Sequence, residues 1–337
     1  MTQVSISQQP SLYIDNVLME YHISGSVNFK GNNQLNTLTV KITNTDLQFQ
    51  SLFNKSIKLY LNTDDSVPIF RGFITQVTPT DTHTTIQARD VRTLLNGKDG
   101  VSVNITDKIN YDSYTLAQFL FKIITDENLD IGLGFLKDSS PSINLKGIRG
   151  KFEVYKVITD AIKNVIDDTD LDEPLRNFID VYDDGNKSHI VIKKDLSIKS
   201  KPSYNFNFND GVASYSYNRR NLPNTVIYEG GKQQFGNIPT GTSTIEINNT
   251  GDRAKNKQLA IRQILLERQQ KEEITLQVTK CYDISLGTII HLDVDEEDIL
   301  GNHRVVGKKI TFGTSMSCSL MLNKEQVKLS DYLNRSL

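Results

Sequence analysis

Thr39-Val40-Lys41-Ile42-Thr43 and Thr275-Leu276-Gln277-Val278-Thr279, near opposite ends of a 337-residue chain, match in residue type at every position. Each alternates apolar with polar side chains, the period of two that sets one face of a strand in a core and the other toward water. A turn containing an Asp follows each, with Asp46 in the first case and Asp283 in the second. A second strand comes next, Ile57 to Leu61 and Thr288 to Leu292. Both strands run to an acidic tip, Asp64-Asp65 and Asp295-Glu296-Glu297-Asp298, and return through a Gly-containing strand pair that ends in an alternating strand. Any two antiparallel β regions share some of this; a duplicated module accounts for all of it. Three chains with two similar modules each would make a ring of six similar units under closed cyclic symmetry.

Outward from these stretches, the first ~95 residues read as short strands with turns between them, the pattern of an antiparallel barrel or sandwich. Ile69 to Val77 is a strand with Gly72 inside it, the mark of a bulge or barrel bend. Thr84 to Asp90 is another. After Asn96-Gly97 the period changes. Thr115 and Gln118 form a capping box ahead of Leu116, Phe119, Leu120 and Ile123 at helical spacing. Val154, Val157, Ile158, Ala161, Ile162 and Val165 form one apolar stripe of a second helix, expected to pack on a sheet. Phe178 to Tyr182 and Ser188 to Ile192 read as a hairpin around Asp184-Gly185. Strands return at Ala213 to Tyr217 and Thr225 to Tyr228, a helix is expected at 252–271, and four strands close the chain. The expected fold is mainly β (α+β): two related antiparallel β-barrel domains, 1–96 and 209–337, flanking a small α+β middle domain, 97–208.

Charge and motif content narrow the function classes. With 38 Lys+Arg against 40 Asp+Glu the net charge is −2, which gives no basic stripe for sequence-specific nucleic-acid binding and no polybasic patch for a membrane surface. The N-terminus lacks the charged start and apolar run of a signal peptide, and no window approaches a membrane helix, so a soluble chain made in a host cytoplasm is expected. Cys281 and Cys318 read as two buried thiols. His22, His83, His189, His291 and His303 are scattered, and only His291 and His303 face each other across an expected hairpin, as surface strand residues. Gly132-x-Gly134 is too short for phosphate binding. The acidic run 295–298 lacks the Asp/Asn/Gly alternation of a calcium loop and reads as a solvated tip, with cation binding left open. No GxSxG, HExxH, GxxxxGK[ST] or GxGxxG occurs, so no catalytic, cofactor-binding or metal residues are assigned.

Several segments, taken in order, resemble the tail-hub family of phages and phage-derived particles, which includes late-control-type hubs and the N-terminal part of type VI secretion spike proteins. Lys58-Leu59-Tyr60-Leu61 through Ile69-Phe70-Arg71-Gly72-Phe73-Ile74 looks like the family's barrel hairpin. Phe152 to Ile166 looks like the helix that opens its middle domain, and Val181 through Ile192 like its short hairpin. Tyr217 through Ile227 and Leu286 through Val306 look like the start and the closing hairpin of its second barrel. The resemblance implies a homotrimer forming a pseudo-six-fold ring with a central channel, in the tail baseplate of a virion. A tail tube or distal tail protein would sit above and a three-fold spike below, with a tape-measure C-terminus and baseplate wedge proteins as further partners. It carries over no catalytic residue. The chain stops at Leu337, so a lysozyme or long spike is expected on a separate protein. A cell-wall-cleaving tail enzyme and a receptor- or carbohydrate-binding tail module stand as the alternatives.

Overall fold

The computed structural model describes residues 10–31, 34–43, 49–62, 65–96, 102–105, 108, 111–134, 145, 150–164, 177–197, 199–207, 212–219, 225–228, 231–234, 244–246, 257, 272–278, 281–293 and 300–322. The acidic run 295–298 and all but Lys257 of the helix expected at 252–271 lie outside them. The chain forms two compact units: 1–165 with 177–193 and 309–318, and 166–176 with 194–308 and 319–337.

The first unit opens with strands β1 (Ser11–Ile14), β2 (Val17–Leu18), β3 (Ile23–Lys30), β4 (Thr37–Ile42), β5 (Ser56–Tyr60), β6 (Phe70–Pro79) and β7 (Thr84–Asp90). They lie in the order β3-β4-β7-β6-β5-β1-β2, antiparallel throughout. The alternation seen in the sequence sets the register. Val40 lies opposite Ile86 and Leu38 opposite Ala88, all on the buried face. Leu12, Val27, Leu38, Val40, Ile57, Leu59, Ile74 and Ile86 fill the core between them. Gly72 is not a bulge. It is paired in register with Ile57 and Asp90, and the irregularity falls at Thr75, between Ile74 and Gln76. Gly72 is there because a β-carbon would overlap the Arg89 carbonyl.

The same unit continues with β8 (Ser102–Ile105), helix α1 (Leu116–Asp126), β9 (Gly132–Leu133), β10 (Gly150–Glu153), helix α2 (Val154–Asn164), β11 (Asn177–Asp183) and β12 (Ser188–Lys194). Helix α1 starts at the expected capping box: Thr115 Oγ1 accepts the Gln118 N–H while Gln118 Oε1 accepts the Thr115 N–H. Phe119, Leu120, Val154, Ile158 and Ile162 pack with Ile179, Ile190 and Ile192 of the sheet β11-β12-β9, a second core distinct from the first.

The second unit holds β13 (Tyr204–Asn207), β14 (Val212–Arg219), β15 (Thr225–Tyr228), β16 (Gly231–Gln234), β17 (Thr244–Glu246), β18 (Glu272–Val278), β19 (Ile289–Asp293), β20 (Gly301–Phe312) and β21 (Ser317–Leu322), though 309–318 belong to the first. Strands β16-β15-β17 form a small sheet of their own. The others lie in the order β14-β18-β21-β20-β19-β13. Strand for strand, β14, β18, β19, β20 and β21 take the places of β3, β4, β5, β6 and β7. Buried Ile274, Leu276 and Val278 of β18 answer Leu38, Val40 and Ile42 of β4. The two orders differ at one end: β1 is antiparallel to β5, whereas β13 is parallel to β19 and has no hairpin beyond it among the described residues. The mainly β, α+β class expected from the sequence is the observed one. No ladder among the described residues closes either order into a barrel.

Candidate functional site

The titratable side chains gather in joints of the fold. Asp90 caps the short turn 91–95 with its carboxylate, which accepts the Asn36 N–H at 2.6 Å and the Arg92 N–H at 3.0 Å. The Arg92 guanidinium is fully buried, donates from Nη2 to Asp90 at 2.6 Å and from Nη1 to the Ile179 carbonyl at 2.8 Å. Burial opposes its charge, but the neighbouring Asp90 carboxylate outweighs burial and holds Arg92 protonated. Burial likewise pushes the Tyr155 phenol beside this pair up to about 12. An ion pair so enclosed ties β7 to β11 and offers no open face to a substrate.

A second joint forms where β6 meets the tip of the β11–β12 hairpin. Arg71 donates to the Asn186 and Gly185 carbonyls at 2.6 and 2.8 Å and to Asp183 Oδ1 at 3.1 Å. Asp184 shapes the turn by accepting the Asn186 and Lys187 N–H groups at 2.9 and 2.7 Å. The Lys187 N–H and His189 hold its carboxyl well below the usual range, at about 2. His189 Nε2 lies 2.9 Å from Asp184 Oδ2, and its ring stacks on Tyr182 with centroids 4.9 Å apart.

These contacts explain Gly132-x-Gly134. The two glycines sit in and after β9, beside β12. A β-carbon on Gly132 would strike the His189 ring, and one on Gly134 would strike Val191 and Tyr182. They are close-packing residues.

The remaining histidines do not converge. His83 closes the β6–β7 turn with Thr80 and Thr82. His291 and His303 do not meet: His291 lies opposite Asn302, 2.9 Å from its Oδ1, and His303 lies opposite Ile290. Contrary to the expected surface position, His303 is buried, because its strand is covered on both faces there. Cys281 and Cys318 are buried thiols, as expected, and are not joined in a disulfide. Asp283 accepts the Tyr204 hydroxyl, and Arg304 with Asp195 forms a buried pair in the second unit. Among the described residues no three His, Cys, Asp or Glu groups are placed to hold a metal ion, and no helix is long and apolar enough to cross a membrane.

A groove of about 910 Å³ lies on the first unit between α1 and the β9–β12 edge, lined by Tyr114, Ala117, Phe121, Leu133, Ile190 and Ile192. It is mostly apolar; Gln118, Thr125 and the Lys122–Asp126 ion pair, 2.7 Å, also line it. Phe121 on its rim is 63% exposed. None of the joints was legible beforehand: Arg71 and Asp183 lie 112 residues apart, and Arg92 and Ile179 lie 87 apart. The one local signal was Asp90-x-Arg92 at the head of an apolar turn.

No protein-family model and no curated protein matches the chain. Solved structures do. A tail protein from Neisseria meningitidis superposes with a TM-score of 0.65 at 13% identity, over 94% of this chain and 96% of that one. The 43 kDa tail protein of prophage MuSo2 from Shewanella oneidensis gives 0.62 at 11% identity, over 94% and 97%. The fold is therefore that of phage-type tail proteins. It also occurs in an E. coli component of the type VI secretion system that is itself similar to T4 tail proteins gp27 and gp5, with a TM-score of 0.54 at 10% identity, over 94% and 77%.

Proposed function

We propose that this chain is the structural hub of a phage-type tail baseplate. Three copies form a pseudo-six-fold ring that joins a six-fold tube to a three-fold spike and leaves a central channel. The observation that carries the reading is the shared strand order β3-β4-β7-β6-β5 and β14-β18-β21-β20-β19 at the two ends of one chain. Duplicated topology lets a trimer present six comparable edges. The tail-protein fold of the solved structures supports the same reading. On it, 1–96 and 209–337 are the two barrel domains and 97–208 the domain between them. The tube or distal tail protein binds one side of the ring and the spike the other, and the chain resides in the virion.

The hub is not an enzyme on this reading. Asp90, Asp183, Asp184 and Asp195 are engaged in turns and ion pairs, and Asp126 beside the α1 groove is paired with Lys122. Native mass spectrometry of the purified chain tests the trimer, and a peptidoglycan-release assay, expected to be silent, separates the hub from a cell-wall-cleaving enzyme. A tail particle carrying six or twelve copies of this chain at its end would defeat the proposal.

A further inference from the structure

We infer that the far end of β6 adds to the edge of β14 that faces away from β18 in a neighbouring copy of this chain, and that this strand addition is the joint between chains. It rests on the ring reading above and names the surface that would build the ring.

Strand β19 pairs with β20 only from Ile289 to Leu292, against Gly301 to Arg304. Strand β20 is 12 residues long and outruns that partner. Its last residues, from Lys309, belong to the first unit, where β20 is the neighbour of β3. Phe312 is buried there among Leu12, Val27 and Ile42. Within one chain, the overhang of the strand in the β6 place thus covers the outer edge of β3.

The first module has the same overhang and leaves it open. Strand β5 pairs with β6 only from Ser56 to Leu59, against Phe70 to Phe73. Ile74 is still bonded to the neighbouring loop, through Asn54 N–H to its carbonyl and its own N–H to the Lys55 carbonyl, both at 3.0 Å. Past the bulge at Thr75, residues 76–79 pair with β7 on one side and with no ladder on the other among the described residues. Gln76, Thr78 and Pro79 are exposed there. Strand β14, the counterpart of β3, pairs with β18 on one side and has no ladder on the other among the described residues. Ser214 and Ser216 on it are exposed.

The chain therefore keeps one overhang and one edge of the kinds it has already joined once within itself. A head-to-tail joint between them is heterologous, and repeated round an axis it closes. It also satisfies backbone groups on two edges that would otherwise invite uncontrolled pairing. The other open end of the strand order, β2, has exposed Val17 and Leu18, but it has no counterpart in the second module among the described residues, so no joint described inside the chain prefigures a partner for it.

Paired cysteines test this on the full-length chain. Gln76→Cys or Thr78→Cys is combined with Ser214→Cys or Ser216→Cys, so that the panel covers a two-residue slip in register. Val17→Cys with Ser216→Cys is the control. Mild oxidation of the native oligomer is expected to link most of at least one panel pair into multimers, up to a trimer, that reductant collapses; the control is expected to stay unlinked. Native mass spectrometry on the same samples separates the outcomes. A trimer in which no panel pair links, or in which the control links, overturns the strand joint and leaves the ring standing. Links that form only within single chains overturn the strand joint, and a chain that is monomeric at every concentration overturns both.

Discussion

Arg71 and Asp183 meet across 112 residues of sequence, with side chains only 11% and 8% exposed. Nη2 donates to Oδ1 at 3.1 Å, and Nε lies 2.8 Å from Oδ2 as an ion-pair contact without hydrogen-bond alignment. The same guanidinium caps the Gly185 and Asn186 carbonyls, so it fixes the whole hairpin tip. Asp183 answers by accepting the Gly185 N–H and the Ser188 hydroxyl, each at 2.8 Å.

Arg71→Ala should therefore destabilise the first unit by about 2–4 kcal/mol, since it strands a mostly buried carboxylate. Arg71→Lys should recover little, because an ammonium cannot span the carboxylate and two carbonyls at once. Urea unfolding of both variants checks this. A Lys variant as stable as the parent would show that charge alone matters.

Arg92→Met should cost about 3–5 kcal/mol, because it leaves the Asp90 carboxylate without its partner in a site that excludes water. In the parent, Arg92 itself adds no pH dependence between pH 6 and 9: the neighbouring carboxylate keeps it charged throughout that range. Thermal unfolding is the readout, and a Met variant as stable as the parent would contradict the assignment.

Asp184 sets an acid limb. Its carboxyl is depressed to about 2 in the fold, against roughly 4 for an unfolded chain. A depressed carboxylate contributes stability that is present above the unfolded value and lost as pH falls through the folded one. The β11–β12 turn should thus loosen between about pH 4 and 2, and Asp184→Asn should remove that dependence. Amide exchange at Asn186 and Lys187 follows it directly.

Gly132→Ala should cost about 1–3 kcal/mol through the clash of its methyl group with His189. His189→Ala should relieve much of that cost, so the double variant is expected to be less destabilised than the sum of the singles. Gly72→Ala has no such rescue, since the obstacle is the Arg89 backbone carbonyl. Denaturation midpoints of the four variants decide it.

What the sequence made legible was whatever repeats at a period of two over a few residues. Leu38, Val40 and Ile42, or Cys318, Leu320 and Leu322, announce a half-buried strand by themselves, and each of these residues is buried. Ile23, Gly25, Val27 and Phe29 of β3 keep the same period, but Ser, Gly and Asn between and among them hid the strand. The likeness of the two chain ends was legible as a succession of strands, and the strand order bears it out. Long-range joints were not legible, because nothing near Arg71 in sequence specifies Asp183. Gly72 carried a true signal with the wrong cause: backbone proximity to Arg89 demands glycine just as a bulge does.

Phe312 sits in the N-terminal core beside residues from Leu12 onward. During synthesis that core must wait, one side unfilled, until Phe312 has emerged from the ribosome. Folding of the first strands is thereby coupled to translation of a distant later segment, and a product terminated before Phe312 would expose an apolar seam that chaperones and proteases recognise.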